Sequence, residues 1–203
     1  ETITTGNGVD FVDIGTNGGI DNVNLGAGDD FLLVTAANLG STATTYDTLA
    51  GGDGIDVIRV GATGTLVDSM FTNVTGFERI TAATDSAGTA GTYAVNVNLG
   101  SAAAAAFSNA IRIDQAAGAG QSWNVNASSL ASGQTLEFRG ADATATVADV
   151  IVGGSGADKI GGGVNASAAG DTLTGGAGSD IFFFRTRAEA IGDGLTTNAT
   201  NTL

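Results

Sequence analysis

Cysteine and histidine are both absent from the 203 residues. Their absence removes disulfide bridges, thiolate and imidazole zinc sites, haem ligation, and every Ser-His-Asp or Cys-His nucleophilic arrangement. Lysine and arginine together number 7 against 21 acidic residues, a formal net charge of −14. A chain so poor in cations lacks the basic footprint that phosphate backbones require. Nucleic acid is therefore excluded as a partner, and an anionic membrane surface is an unfavourable one. Aromatic residues are only 6% of the chain, so a core of large side chains is not expected. No apolar run reaches the length that crosses a bilayer, and no charged-then-apolar leader opens the sequence. The first residues, ETITTGNGVD, read as the middle of a repeat, as expected of a fragment of a longer protein.

What the chain has in quantity is glycine, 33 residues of it, in company with small apolar residues. Glycine costs about 1 kcal/mol per helical position, which argues against long helices. The glycines are also ordered. GGDGID stands at 51–56, GGSGAD at 153–158 and GGAGSD at 175–180. About 0.07 copies of G-G-x-G-x-D are expected by chance from this composition, so three are a real repeat.

The unit is nine residues long, G-G-x-G-x-D-x-U-x, where U is a large apolar residue. Asp10, Asp21, Asp30, Asp47 and Asp56 hold position six in the first part of the chain. Val12, Val23, Leu32, Leu49 and Ile58 hold position eight. In the last part the pairs are Asp149 and Ile151, Asp158 and Ile160, Asp171 and Leu173, and Asp180 and Phe182. Gly51, Gly52, Gly54, Gly153, Gly154, Gly156, Gly175, Gly176 and Gly178 complete the motif fully. Gly6, Gly8, Gly19, Gly26 and Gly28 complete it in part, and the units at Asp47, Asp149 and Asp171 are worn. Short-period repetition is the mark of a solenoid. Glycines permit a tight turn whose carbonyl oxygens aim inward, and the aspartate adds a carboxylate at its exit. Such hard oxygens suit calcium, which takes about six to eight of them at roughly 2.3–2.6 Å. Asp29 and Asp53 supplement the turn charge. The x-U-x tail is a short strand whose central side chain enters the core.

These residues resemble the hemolysin-type calcium-binding nonapeptide (RTX) family. The resemblance implies a right-handed parallel β-roll with two nonapeptides per coil and Ca2+ between stacked turns. It implies that Asp10 stacks with Asp30, Asp21 with Asp47, and Asp30 with Asp56. In the second cluster Asp149 stacks with Asp171, and Asp158 with Asp180. These nine aspartates, with the motif glycines, are the candidate metal site. The expected fold class is all-β, a solenoid in three parts: a repeat cluster over 1–59, a repeat-free β-helical segment over 60–143, and a second cluster over 144–203 with a terminal strand.

In the middle, YAVNVNL (Tyr93 to Leu99), AIRID, SWNVN and TLEFR alternate as half-buried strands. A short helix is expected near Leu66 to Phe71, while the alanine run at 102–106 fits a helical turn or a packed corner. IFFFR (Ile181 to Arg185) reads as the last strand, with Phe182 inward and its neighbours covering the open end. The order GAGDD, GGDGIDVI, GFERI and GGSGADKI is similar to the C-terminal half of calcium-dependent surface-layer proteins of Gram-negative bacteria. That likeness implies an extracellular, cell-surface structural protein, exported by type I secretion and self-associating into a lattice. A module of an RTX adhesin contacting glycans or cells, or the folding domain of a secreted RTX enzyme or toxin, stands as the alternative. Catalysis is not expected, because Lys159 is the sole lysine and only Tyr46 and Tyr93 could assist the acids. Glu78 and Glu137 read as solvated or paired strand residues, and Trp123 as core.

Overall fold

The computed structural model describes residues 1–14, 19–39, 46–82, 94–115, 120–141, 147–163 and 170–184, with the backbone of 194–195. It is a parallel β-solenoid. Each nonapeptide offers only the x-U-x tripeptide between glycine-rich breaks, so the strands are short and the chain turns after each. Strands β1 (Thr2–Thr4), β3 (Asn22–Ala27), β5 (Thr48–Asp53) and β8 (Val74–Thr75) form a four-stranded sheet. Strands β2 (Phe11–Asp13), β4 (Phe31–Val34), β6 (Val57–Val60), β9 (Arg79–Ala82), β11 (Ala110–Asp114), β13 (Thr135–Arg139), β15 (Lys159–Gly161) and β17 (Ile181–Phe182) form an eight-stranded sheet. Strands β7 (Gly64–Leu66), β10 (Ala94–Asn98), β12 (Ser122–Asn126), β14 (Val150–Val152), β16 (Thr172–Thr174) and β18 (Gly194–Leu195) form the third, six-stranded sheet. Every pairing is parallel.

The eight-stranded sheet is the spine. Val12, Leu32, Ile58, Ile80, Ile113, Phe138, Ile160 and Phe182 occupy one register position down its length. All but Phe182 are buried, and Phe182 packs against the same core. Burying each such side chain stabilises by about 1.5–3 kcal/mol. Position eight of every repeat unit thus enters the core. Trp123 is buried too, meeting Phe138 of the facing sheet edge-on at 6.5 Å between ring centroids.

The four-stranded sheet stops at β8, a strand of two residues, and a helix takes over its side of the coil. The alanine run forms α1 (Ser101–Ala106), which packs on β8 and on a 3-10 turn at Asp68–Phe71. Small side chains let its buried Ala103, Ala104 and Ala106 sit close to the core. The N–H of Phe77 donates to the carbonyl of Ala106 at 3.5 Å. The helix therefore covers an open sheet edge. Six residues cannot hold a helix alone, and the missing cap comes from the preceding coil. The Asp68 carboxylate accepts the N–H groups of Gly100, Ala102 and Ala103 at 2.8, 3.3 and 2.8 Å. Asp68→Ala should lower folding stability by about 1–2 kcal/mol, read as a lower denaturation midpoint with an unchanged β signal.

One expectation needs correcting. The strand beginning at Ile181 is not the last, because β18 follows and pairs with β16, Thr172 opposite Gly194 and Leu173 opposite Leu195. Phe183 does not close the open end either. It lies back across Gly161, whose missing side chain leaves room for the ring. Tyr93 and Arg185 fall outside the described residues. Among those described, no helix is long and apolar enough to cross a membrane.

Candidate metal-binding turns

Because each coil contributes one turn to each edge of the solenoid, acids spaced by a coil become neighbours. On the edge entering the eight-stranded sheet, the N–H of Asp10 donates to Asp30 Oδ1 at 2.7 Å, and that of Asp30 to Asp56 Oδ1 at 2.9 Å. Further along, Leu136 donates to Asp158 Oδ1 at 2.7 Å and Asp158 to Asp180 Oδ1 at 2.9 Å. On the opposite edge, Asp21 donates to Asp47 Oδ1 at 2.9 Å and Asp149 to Asp171 Oδ1 at 2.7 Å. All five stacked pairs read from the repeats are therefore adjacent in space.

One residue of this series was not legible as such. Glu78 continues the first column, its Oε2 accepting the N–H of Asp56 at 2.7 Å. The signal was present in GFERI: glycine at position four, an acid at six and Ile80 at eight. Beyond Glu78 the column turns apolar. Arg79 pairs with Arg112, which aligns Glu78 with Ile111, and Ile111 pairs with Leu136 before Asp158 resumes the acids. Glu137 pairs with Arg139 on the sheet's outer face instead. Asp29 also reaches across coils, its Oδ1 accepting the Ile55 N–H at 2.9 Å.

The glycines are a steric necessity. Gly54 has φ +134°, and a methyl group there would overlap the carbonyl of Gly28 in the preceding coil. A methyl on Gly51 would stand 2.7 Å from Asp56 Oδ2. The same stacking of glycine over carbonyl recurs at Gly26, Gly28, Gly52, Gly156, Gly176 and Gly178, whereas Gly153 lies over the carbonyl of the following coil's Gly175. Gly154 instead rests on Ala127 and Leu130, and Gly6, Gly8 and Gly19 face open space.

The electrostatics single out the second carboxylate oxygen. Asp30, Asp47 and Asp56 are buried, and in each Oδ2 has no hydrogen-bond partner, as in the less buried Asp180. Asp158 differs, since its Oδ2 accepts the Gly154 N–H at 2.6 Å. An unpartnered buried carboxylate oxygen is costly, and a cation is what would relieve it. The Gln121 side-chain amide and the Trp123 indole nitrogen also lack partners, but they lie in the repeat-free middle. Among the described residues no three acidic side chains converge. A cation on these turns would thus take its oxygens from one or two carboxylates and from backbone carbonyls. Several of those carbonyls already accept a bond from the next coil, such as Gly6 from Ala27 at 2.9 Å, yet each keeps a second lone pair. The donor set is all hard oxygen, which fits calcium.

Burial raises three of the repeat carboxyls. Asp56 is pushed up to about 6 by desolvation, helped by the charges of Asp30, Glu78 and Asp29 and opposed by the Asp30 N–H. Desolvation likewise raises Asp47 and Asp158. The folded chain without metal therefore holds protons more tightly than the unfolded chain. Its stability should rise as pH falls through about 6 toward 3.8, the ordinary value for aspartate. With calcium present the sign reverses, because protons compete for the same oxygens. Circular dichroism in chelator should gain β signal between pH 7.5 and 4.5, while the calcium midpoint for folding rises over the same interval.

No protein-family model matches the chain, and no match was found among curated proteins or solved structures.

Proposed function

We propose that this chain is a calcium-dependent structural domain of an extracellular surface-layer protein, folding on calcium after type I secretion. The observation that carries the reading is the buried, unpartnered Oδ2 of Asp30 and Asp56, set in glycine turns stacked coil upon coil. Asp10, Asp30, Asp56, Asp158 and Asp180 would hold ions on one edge; Asp21, Asp47, Asp149 and Asp171 would hold them on the other. Glu78 closes the first row. Bound calcium would neutralise the stacked carboxylates and bridge successive turns. Metal affinity then becomes folding free energy, available outside the cell and not before export. The surface-layer assignment comes from the order of GFERI among the repeats, and a chain of charge −14 without histidine or cysteine suits a structural rather than a catalytic role.

Electron microscopy of the full-length protein tests the reading. A regular two-dimensional sheet should form in millimolar calcium and dissolve in chelator. A calcium-folded monomer that binds cells or glycans would select the adhesin class instead.

A further inference from the structure

All the lysine and arginine side chains of the described residues lie on one surface. Arg59, Arg79, Arg112, Arg139 and Lys159 alternate with the inward column of the eight-stranded sheet, so they stand on its outer face. The acids there are Asp13, Asp114 and Glu137. Five cations against three acids leave this face positive within a chain of net charge −14. Among the described residues only this face carries side chains of both signs, so only here can opposite charges meet between two copies.

The register arranges this face in two columns. One holds Phe11, Phe31, Val57, Arg79, Arg112, Glu137, Lys159 and Ile181; the other holds Asp13, Leu33, Arg59, Thr81, Asp114, Arg139 and Gly161, with Phe183 following. At the centre the signs form a checkerboard. Arg112 beside Asp114 on β11 is followed by Glu137 beside Arg139 on β13. Apolar residues flank it at both ends: Phe31, with Arg59 stacked 3.8 Å over its ring, and Leu33 at one, Ile181 and Phe183 at the other.

We propose that this face packs on the same face of a second copy, about a two-fold axis parallel to the solenoid. Such an axis lays each strand's first column over the second column of the same strand in the partner copy. Arg112 then meets Asp114, Glu137 meets Arg139, Phe31 meets Leu33 and Ile181 meets Phe183, each twice, as an isologous contact requires. A slip of one strand sets Arg112 against Arg139, so the checkerboard also fixes register. A polyanion would meet Asp114 and Glu137 in the middle of its track, which favours a second copy over an anionic polymer. Seven strand spacings of about 4.8 Å give a strip roughly 34 Å long. At three to five residues wide it buries about 900 Å² in all, the size of a weak, concentration-dependent contact. This deepens the surface-layer reading by naming one lattice contact, but it needs only the folded solenoid.

Sedimentation equilibrium of the chain in saturating calcium tests it. A monomer–dimer equilibrium should appear, with Asp114→Arg or Glu137→Arg weakening it about tenfold or more while circular dichroism stays unchanged. The exchange Arg112→Asp with Asp114→Arg restores the facing pairs and should return the dimer to about wild-type strength. A wild-type chain that stays monomeric to millimolar concentration would overturn the proposal. So would a dimer indifferent to both reversals, or dextran sulfate binding to a face that never self-associates. Calcium titration of the same samples reads the metal separately, so a dimer that forms without bound calcium would sink the calcium reading and leave this one standing.

Discussion

Stripped of divalent cations at neutral pH, the chain should lose most of its β circular dichroism and regain it on adding calcium. The reason lies in the second oxygens of Asp30, Asp47, Asp56 and Asp180, which the fold removes from hydrogen-bond partners. Each unsatisfied buried group costs about 1–3 kcal/mol. Four of them together rival the roughly 5–15 kcal/mol that separates a folded domain from its unfolded chain. To this is added like-charge contact along the column from Asp10 to Glu78, and the entropy lost in ordering so many glycines. Magnesium should not substitute. It demands a near-octahedral shell and gives up water reluctantly, while these turns offer irregular sets of carbonyls. Equal recovery in magnesium would show that simple charge screening, and not coordination, orders the turns.

The second large effect is expected at single aspartates. Asp56→Ala should raise the calcium midpoint for folding by about tenfold or more, because it removes a buried carboxylate that stands over Gly51 and accepts the Asp30 N–H, the charge a bound ion would need there. Asp158→Ala should do as much and also weaken whatever fold persists without metal. Its carboxylate holds two backbone N–H groups, those of Leu136 and Gly154, which the substitution leaves unsatisfied. Asp114→Ala is the contrast. Asp114 pairs only with Arg112 on the sheet's outer face, so its loss should move the midpoint by no more than about threefold. Were all three midpoints to shift alike, the repeats would be spacers and the calcium mechanism would be lost.

Much of the fold was written in nine-residue phase. Position eight of each unit names a core residue, and position six names an acid that meets its neighbour one coil away, even in the worn units at Asp47 and Asp149. A two-strand coil has only one way to stack, so spacing alone carries that information. The changeover from the four-stranded to the six-stranded sheet left no such mark. It depends on β7 leaving the coil early and on Asp68 capping a helix more than thirty residues ahead, contacts with no local period. Glu78 is hard to read from sequence for a related reason. Its unit keeps one motif glycine, and a strand glutamate beside Arg79 looks like surface until the ladder places it under Asp56. The terminal Gly194–Leu195 strand escaped because the phenylalanines before it looked like an end cap.

The replacement of acids by Ile111 and Leu136 gives the middle coils an independence that the ends lack. Their edge is sealed by apolar packing and by α1, so they can order before any ion arrives. Solenoid coils touch only their neighbours, and structure spreads from whichever coil forms first. Here that seed lies near the centre, and calcium would zip the chain outward in both directions from a ready-made template. The order of assembly would then follow position along the axis, with Glu78 and Asp158, the acids bordering the seed, as the places where each half would begin to close.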